Sequence, residues 1–446
     1  MNLYIVVEIT ARELQAKAFL AGLAALEGFK VTFGHEDMIR RVAKLGTPGI
    51  FYDKSLHTDY PKLHTALSRL GHRIAVNDEE ALTPIPERYT TAVTTKAVDI
   101  VDLHLTWGNY QRELVSSVFP QFNHKSVPVG NVRMDLLRSE LRAIFQPRVD
   151  ALKKKHGDFI LINTRFPSIN NIEGPDAIKR IIEAGLQGNV EVARKAFELD
   201  EKIYPKFLEM VEALGRRFPD KTFIIRPHPS ESSLSWEKLA DSSDNLKVVR
   251  EGSVHPWILA SEMVIQHGCT TAVEAFFLEV PCVSYKPYSM KGIDRELPDA
   301  VSYNAFDLEE VCECVAGNRD EDFTKLRPQW TEMAKHYITS TDGPLAAVST
   351  VAELRKLAQV RKKIDIPFML KTRMDQSARS LNRRFKKWLR SVAGKPKKVK
   401  DAALWKPLTQ QELKQLLADF SFYDPRFAQL DVKQTYLECF QIRYSQ

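Results

Sequence analysis

The sequence predicts an α/β protein of two Rossmann-like, doubly wound halves facing a cleft, followed by a basic helical C-terminal segment. Three observations carry this. Short apolar, β-branched runs alternate with helical stretches, the pattern of parallel strands joined by crossover helices. The pattern restarts near residue 150. A chain of 446 residues also exceeds one ordinary core, so two domains of roughly 150–200 residues are expected.

In the first half, strands are expected at Leu3–Val7, Lys30–Phe33, Gly49–Tyr52, Arg73–Asn77, Ile100–Trp107 and Lys125–Val129. Helices are expected over 11–27, 40–45 and 60–71, the first and last stopped by Gly28 and Gly71. In the second half, strands are expected at Asp158–Asn163, Thr222–Arg226, Leu246–Val249, Met263–Gln266 and Cys282–Tyr285. A helix at Thr271–Leu278 joins the last two, and the polar stretch 172–217 reads as an inserted helical hairpin. The expected organisation is therefore 1–150, 151–360 and a tail, 361–446, whose final residues look ordered and helical.

Composition narrows the class. The 44% hydrophobic and 27% charged content is that of a soluble globular chain. Five cysteines form no disulfide or metal framework, which fits a reducing compartment. The start, Met1-Asn2-Leu3-Tyr4-Ile5, has no basic region before its apolar run, and no apolar run approaches the roughly 20 residues that span a bilayer. A cytoplasmic protein is expected. The net charge of +7 is uneven. Residues 361–400 hold 15 Lys/Arg against Asp365 and Asp375, a surplus of 13 that leaves the remainder at −6. Met374, Ala378, Leu381, Phe385, Trp388 and Leu389 line one face of that segment, so it reads as a basic amphipathic helix. Such a helix suits the anionic inner face of a membrane, and no specific nucleic acid is expected. The competing reading is a helix packed on the body, and a polyanion-binding scaffold is the non-enzymatic alternative.

Three motifs carry candidate chemistry. Phe223-Ile224-Ile225-Arg226-Pro227-His228-Pro229 runs from a strand into a turn fixed by two prolines. Ligands of open α/β sheets bind beyond the carboxyl ends of strands. His228 beside Arg226 suits a phosphate, and His228 could pass a proton to a departing phosphate oxygen. The alternative is that His228 caps the strand. His267-Gly268-Cys269-Thr270-Thr271-Ala272-Val273-Glu274 is a strand, a glycine turn and a helix start. Its backbone N–H groups and the Thr270 and Thr271 hydroxyls would cradle a phosphate without a metal, and Glu274 would reach a ribose. An ordinary threonine cap is the alternative. Asp78-Glu79-Glu80 follows a strand of the first half and would face the cleft as general base or nucleophile, or else only dress a helix start. Lesser candidates are Asn163-Thr164-Arg165, Gly130-Asn131, and Glu8, Arg12 and Glu13, where Arg12 could meet a carboxylate. No P-loop, G-x-G-x-x-G, His-Glu-x-x-His or G-x-S-x-G stands in the chain, which argues against ATPase, dehydrogenase, metalloprotease and hydrolase.

Glu8-Ile9-Thr10-Ala11-Arg12-Glu13-Leu14, Tyr52-Asp53-Lys54-Ser55-Leu56, Trp107-Gly108, Gly130-Asn131-Val132-Arg133-Met134-Asp135 and Phe159–Thr164 together resemble the bacterial surface-carbohydrate biosynthesis proteins, over about residues 1–350. That resemblance implies a GT-B glycosyltransferase. A second resemblance is to bacterial sialyl- and Kdo-transferases, which use CMP-activated sugars and carry an acidic-acidic-Gly motif, a His-Pro motif and a Ser/Thr pair. Asp78-Glu79-Glu80, His228-Pro229 and Thr270-Thr271 are the matching residues. It implies that His228, Thr270 and Thr271 hold the CMP phosphate and that one acid is catalytic. Ala81 stands where the motif's glycine would follow, which leaves open which acid that is.

The expected function is therefore metal-independent transfer of a sugar, such as a 2-keto acid sugar, from a nucleotide donor that is substrate and not resident cofactor. Its acceptor would be a surface glycan or lipid-linked saccharide. A UDP-sugar 2-epimerase-like enzyme and a teichoic-type glycerophosphotransferase are the alternatives.

Overall fold

The computed structural model describes residues 1–446 except 58–59, 80, 83–85, 175, 184–189, 361, 376–406 and 445–446. The apolar runs form strands where expected. In the first half these are β1 (Asn2–Val7), β2 (Lys30–His35), β3 (Ile50–Asp53), β4 (Arg73–Asn77), β5 (Leu103–Thr106) and β6 (Ser126–Pro128). The second half holds β7 (Phe159–Asn163), β8 (Thr222–Arg226), β9 (Leu246–Val248), β10 (Met263–Gln266), β11 (Cys282–Tyr285) and β12 (Tyr303–Ala305). The chain closes with β13 (Asp431–Tyr436) and β14 (Cys439–Arg443).

Two separate sheets result, ordered β13-β14-β2-β1-β3-β4-β5-β6 and β12-β11-β10-β7-β8-β9. All pairs are parallel except β13 with β14 and β14 with β2. Residues of β3, β4, β7 and β10, and of β1 after Asn2, are buried throughout, as parallel strands covered on both faces must be. In each sheet the strand order reverses beside the first strand of that half. A crevice opens at such a switch point, beyond the carboxyl ends of the strands.

Several expectations need correcting. The stretch 172–217 is not an insertion as a whole. Its helix Val190–Arg217 is the crossover that returns the chain from β7 to β8, burying Leu199, Ile203, Phe207, Met210, Val211 and Leu214 on one stripe. Among the described residues of that stretch, the short helix Ala177–Glu183 is additional. The final residues are not all helical. After the helix Gln410–Ala418 comes the β13–β14 hairpin, which extends the first sheet at its β2 edge. Helix Ala346–Gln359 also returns to the first half and packs on helix Thr10–Leu26. In the basic segment residues 366–375 are helical, while Ala378, Leu381, Phe385, Trp388 and Leu389 lie outside the described residues.

The C-terminal strap is held by aromatic packing. Phe19 meets Phe420, Tyr423 and Phe427 at centroid distances of 5.0, 5.2 and 5.5 Å. Gly22, one turn on, leaves the space that Phe427 fills: a Cβ there would stand 2.3 Å from its ring. In a helix interior alanine normally gains about 1 kcal/mol over glycine. Here the collision reverses that sign, so Gly22→Ala should lower the thermal unfolding midpoint, and Gly22→Ala with Phe427→Leu should recover part of the loss. A Gly22→Ala protein more stable than wild type would contradict this packing.

Candidate functional site

A cleft with convergent polar groups, about 530 Å³, lies between the carboxyl ends of the two sheets. The first half contributes Ile9 and Arg12 after β1, Glu79 and Leu82 after β4, and Arg133 from the interdomain segment. The second half contributes Asn163 at the end of β7, the Arg226–Ser230 turn after β8, Gly252–His255 after β9, and Cys269, Thr270, Thr271 and Glu274 after β10.

A chain of buried charges runs through the wall of this cleft. Lys17 Nζ, almost without solvent exposure, reaches Glu13 Oε2 at 2.8 Å and Glu79 Oε1 at 3.2 Å. Arg133 stands 3.8 Å from Glu79 Oε2 and 3.3 Å from Glu274 Oε1 of the second half. His255 Nε2 lies 3.5 Å from the same Glu274 oxygen. Burial pushes the Glu13 carboxyl up, but Lys17, Arg12 and the Glu8 N–H outweigh it and hold it at about 2. Burial also opposes the charge on Glu274, and His255, Arg133 and Arg12 bring that carboxyl below its usual range.

Arg133 is placed by the residues around it. The Asn131 amide donates to Asn77 Oδ1 at 2.6 Å, and Asn131 Oδ1 accepts the Arg133 N–H at 2.9 Å. Gly130, at φ +93°, lets the two interdomain crossings touch, since a Cβ there would stand 2.2 Å from Ser340 Oγ. Asp135 ties the same crossings by accepting the Ala346 and Ala347 N–H groups at 2.8 and 2.7 Å.

The acids after β4 separate. Asp78 turns into the first half: its carboxylate accepts the Tyr89 hydroxyl at 3.3 Å, and its carbonyl accepts the Trp107 indole N–H at 2.6 Å. It does not line the cleft, contrary to the sequence expectation. Glu79 does. Glu80 lies outside the described residues.

The proline turn presents His228 at the cleft as expected. His228 Nδ1 accepts the Ser230 N–H at 3.2 Å, so the neutral ring carries its proton on Nε2. The turn thus has the local backbone bond of a structural cap and also a ring edge at the cleft. Glu231 braces it to β7. Its carboxylate, fully buried, accepts the Thr164 hydroxyl at 2.7 Å, the Phe166 N–H at 3.1 Å and the Trp236 indole N–H at 2.8 Å. Arg226 departs from expectation. Its guanidinium donates to the Glu251 and Gly252 carbonyls at 2.8 and 3.0 Å and lies over Trp257, so it mainly fixes the loop after β9. Burial lowers it to about 10.

Thr270 and Thr271 meet the cleft from the first turn of helix Thr270–Phe277, and Glu274 from the next. Glu274 is held by Arg133 and His255, not left open for a ribose through both oxygens. His267, Gly268 and Arg165 fall outside the cleft. They line a small separate space with Asp200 and Arg295. His267 Nδ1 bonds the Tyr285 carbonyl at 3.1 Å, and burial, with Arg165 nearby, lowers its ring to about 3. Arg165 is spent on Asp200 and the His267 carbonyl, each at 3.3 Å.

Among the described residues of the cleft, Arg133 Nε, Asn163 Nδ2, Thr271 Oγ1 and Glu274 Oε2 are buried atoms that take no hydrogen bond. Unpaired buried groups of this kind cost about 1–3 kcal/mol each. Sequence reasoning missed Lys17, and it valued Arg133 only within a motif. It also missed His255, although Gly252-Ser253-Val254-His255-Pro256 is a second His-Pro pair after a strand.

No protein-family model matches the chain, and no curated protein sequence matches it. Solved structures do. A putative UDP-N-acetylglucosamine 2-epimerase from Listeria monocytogenes is 12% identical with a TM-score of 0.52, covering 82% of this chain and 98% of its own. The fold is GT-B. The UDP-GlcNAc 2-epimerase of Methanocaldococcus jannaschii, in complex with UDP-GlcNAc and UDP, gives a TM-score of 0.51 at 14% identity, covering 80% of this chain and 100% of its own. A variant of the wall teichoic acid polymerase TagF gives 0.51 at 10% identity, covering 80% and 89%. At these identities the likeness is one of GT-B architecture.

The buried charge chain gives a pH test. Glu13 is held at about 2 in the folded protein against 4.5 for the free group. Its contribution is therefore present above about pH 4.5 and is lost as pH falls toward 2. Glu13→Gln, which leaves Lys17 short of one partner, should cost about 3–5 kcal/mol at neutral pH. The variant's unfolding midpoint should change less than wild type over that acid range. Parallel acid profiles would remove Glu13 from the account.

Proposed function

We propose that the protein is a glycosyltransferase that binds a nucleotide-sugar donor in the interdomain cleft and transfers the sugar to a surface glycan or lipid-linked acceptor. The observation that carries this reading is one cleft of about 530 Å³ lined by polar and charged residues of both halves, Arg12, Glu79 and Arg133 on one side and His228, Thr271 and Glu274 on the other. That size falls within the roughly 300–1,000 Å³ of small-molecule sites. The donor phosphate would sit at the start of helix Thr270–Phe277, where backbone N–H groups and the Thr271 hydroxyl favour an anion. His228 Nε2–H would hold the leaving phosphate and deliver its proton. Glu79 would take the proton of the acceptor hydroxyl. A CMP-linked 2-keto acid donor is the finer form of the proposal, supported by Arg12 in the cleft wall, a guanidinium suited to the donor carboxylate.

The second reading is a UDP-GlcNAc 2-epimerase, favoured by the bound UDP-GlcNAc and UDP of the archaeal neighbour. A panel of CMP-, UDP- and CDP-linked donors separates the two. A transferase should bind its donor, release nucleotide and leave the free sugar's C2 unchanged, whereas an epimerase should yield the 2-epimer without acceptor. On the preferred donor, His228→Ala should lower turnover about 10²–10⁴-fold with donor affinity changed much less. Full turnover in His228→Ala would remove its role.

We also propose that the enzyme works at the anionic inner face of the cytoplasmic membrane, through residues 361–400. Among the described residues, helix 366–375 leaves Ile366, Leu370 and Met374 exposed at helical spacing, while Arg69 and Phe368 fix it to the first half. No helix among the described residues is long and apolar enough to cross a membrane. In liposome flotation the full chain should float with anionic vesicles and less with neutral ones. Leu370→Glu with Met374→Glu should weaken this several-fold; unchanged flotation would contradict the assignment.

A further inference from the structure

A second concave site lies on the first half, away from the cleft. Helix Glu36–Leu45 presents Asp37, Arg40, Arg41 and Lys44 at positions i, i+3, i+4 and i+7, one face of the helix. Tyr60 and Leu63, at the start of helix Pro61–Arg69, form the opposite wall. Together these six residues line a groove of about 350 Å³.

Its charge sets it apart. Three cations face one acid, on a body that carries −6 once residues 361–400 are set aside. Arg40 is fixed in place: it pairs with Glu36 at 2.8 Å and lies 5.2 Å over the Tyr60 ring. Its Nε is buried and takes no hydrogen bond. Arg41 is exposed and makes no ion pair among the described residues. A rigid guanidinium, two further cations and an aromatic wall suit an anionic group attached to a body with apolar faces. A saccharide unit bearing a carboxylate or phosphate has that chemistry.

A run of ion pairs and hydrogen bonds connects the groove to the cleft. Glu36, the partner of Arg40, stands 3.3 Å from Lys54, which follows β3. Lys54 pairs in turn with Glu8, which follows β1. The Glu8 N–H donates to Glu13 at 3.1 Å, and Glu13 pairs with Arg12, which lines the cleft. All these groups lie along the carboxyl edge of the first sheet, the side on which the cleft opens. An extended chain could therefore rest in the groove and still place one end beside Glu79.

We propose that the groove between helices Glu36–Leu45 and Pro61–Arg69 is an acceptor subsite that grips an anionic group of a glycan whose terminal hydroxyl lies in the cleft. This rests on the transferase reading, because an epimerase has no second substrate to seat. It also names the acceptor class: an acidic glycan, through carboxylate or phosphate.

The test uses the full chain and the Arg41→Glu, Lys44→Glu double variant. Three probes are titrated at low salt: hexagalacturonate for carboxylates, an oligomer of glycerol phosphate for phosphates, and neutral maltohexaose. The wild type should bind at least one anionic probe and not maltohexaose, more weakly as salt rises. The double variant should bind that probe at least tenfold more weakly and unfold at the wild-type temperature. Which anion binds identifies the source. Failure of both anionic probes to bind wild type, or equal binding by the variant, overturns the groove. So would a variant that loses anionic vesicles while neither saccharide binds wild type. Nucleotide titration of both proteins separates the two readings. Nucleotide binding with no anion effect leaves the transferase reading and removes the groove, whereas an anion effect without nucleotide binding does the reverse.

Discussion

The two halves of this molecule meet through charges that have little water to fall back on. Lys17 lies between Glu13 and Glu79, and Arg133 lies between Glu79 and Glu274. Breaking one partner of such a buried pair costs about 3–5 kcal/mol, because the other charge is left uncompensated. The chain therefore restricts how the two sheets can sit, and it does so at the edge where both open. The hinge follows from the same need. Asn77 and Asn131 aim Arg133, Gly130 lets the crossings touch, and Asp135 clamps the returning helix.

A wall held this way keeps the polar residues of the cleft in place. Glu231 does the equivalent in the second half, using three bonds to fix the turn that carries His228. The site is thus organised before any ligand arrives, which lowers the ordering cost of binding. The parts of the proline turn divide the work. His228 faces the cleft, while Arg226 holds the loop that brings His255 into the same wall.

Much of this was legible in the sequence. The strands announce themselves as β-branched runs, and the strand-end position of His228 follows from the two prolines. The choice between Asp78 and Glu79 was not legible. Successive side chains leave a strand on opposite faces, and every residue of β4 is buried, so the hydrophobic pattern has no phase to read. Lys17 was invisible for a related reason. Buried lysines are rare, and its two acids come from its own helix and from a separate strand end. The β13–β14 hairpin escaped because its edge strand β13 carries consecutive polar residues, Lys433 and Gln434, that blur the apolar alternation. His267 and Gly268 looked like a phosphate loop, yet the ring is drawn inward by the Tyr285 carbonyl.

The central claim is that one interdomain cleft holds a nucleotide donor between the start of helix Thr270–Phe277 and His228. A crystal structure after soaking with CMP and UDP tests it most directly. The account expects nucleotide density in that cleft, with a phosphate oxygen within about 3 Å of Thr271 Oγ1 and of His228 Nε2. Nucleotide seated elsewhere, or a cleft that stays empty at saturating concentrations of both, would contradict it.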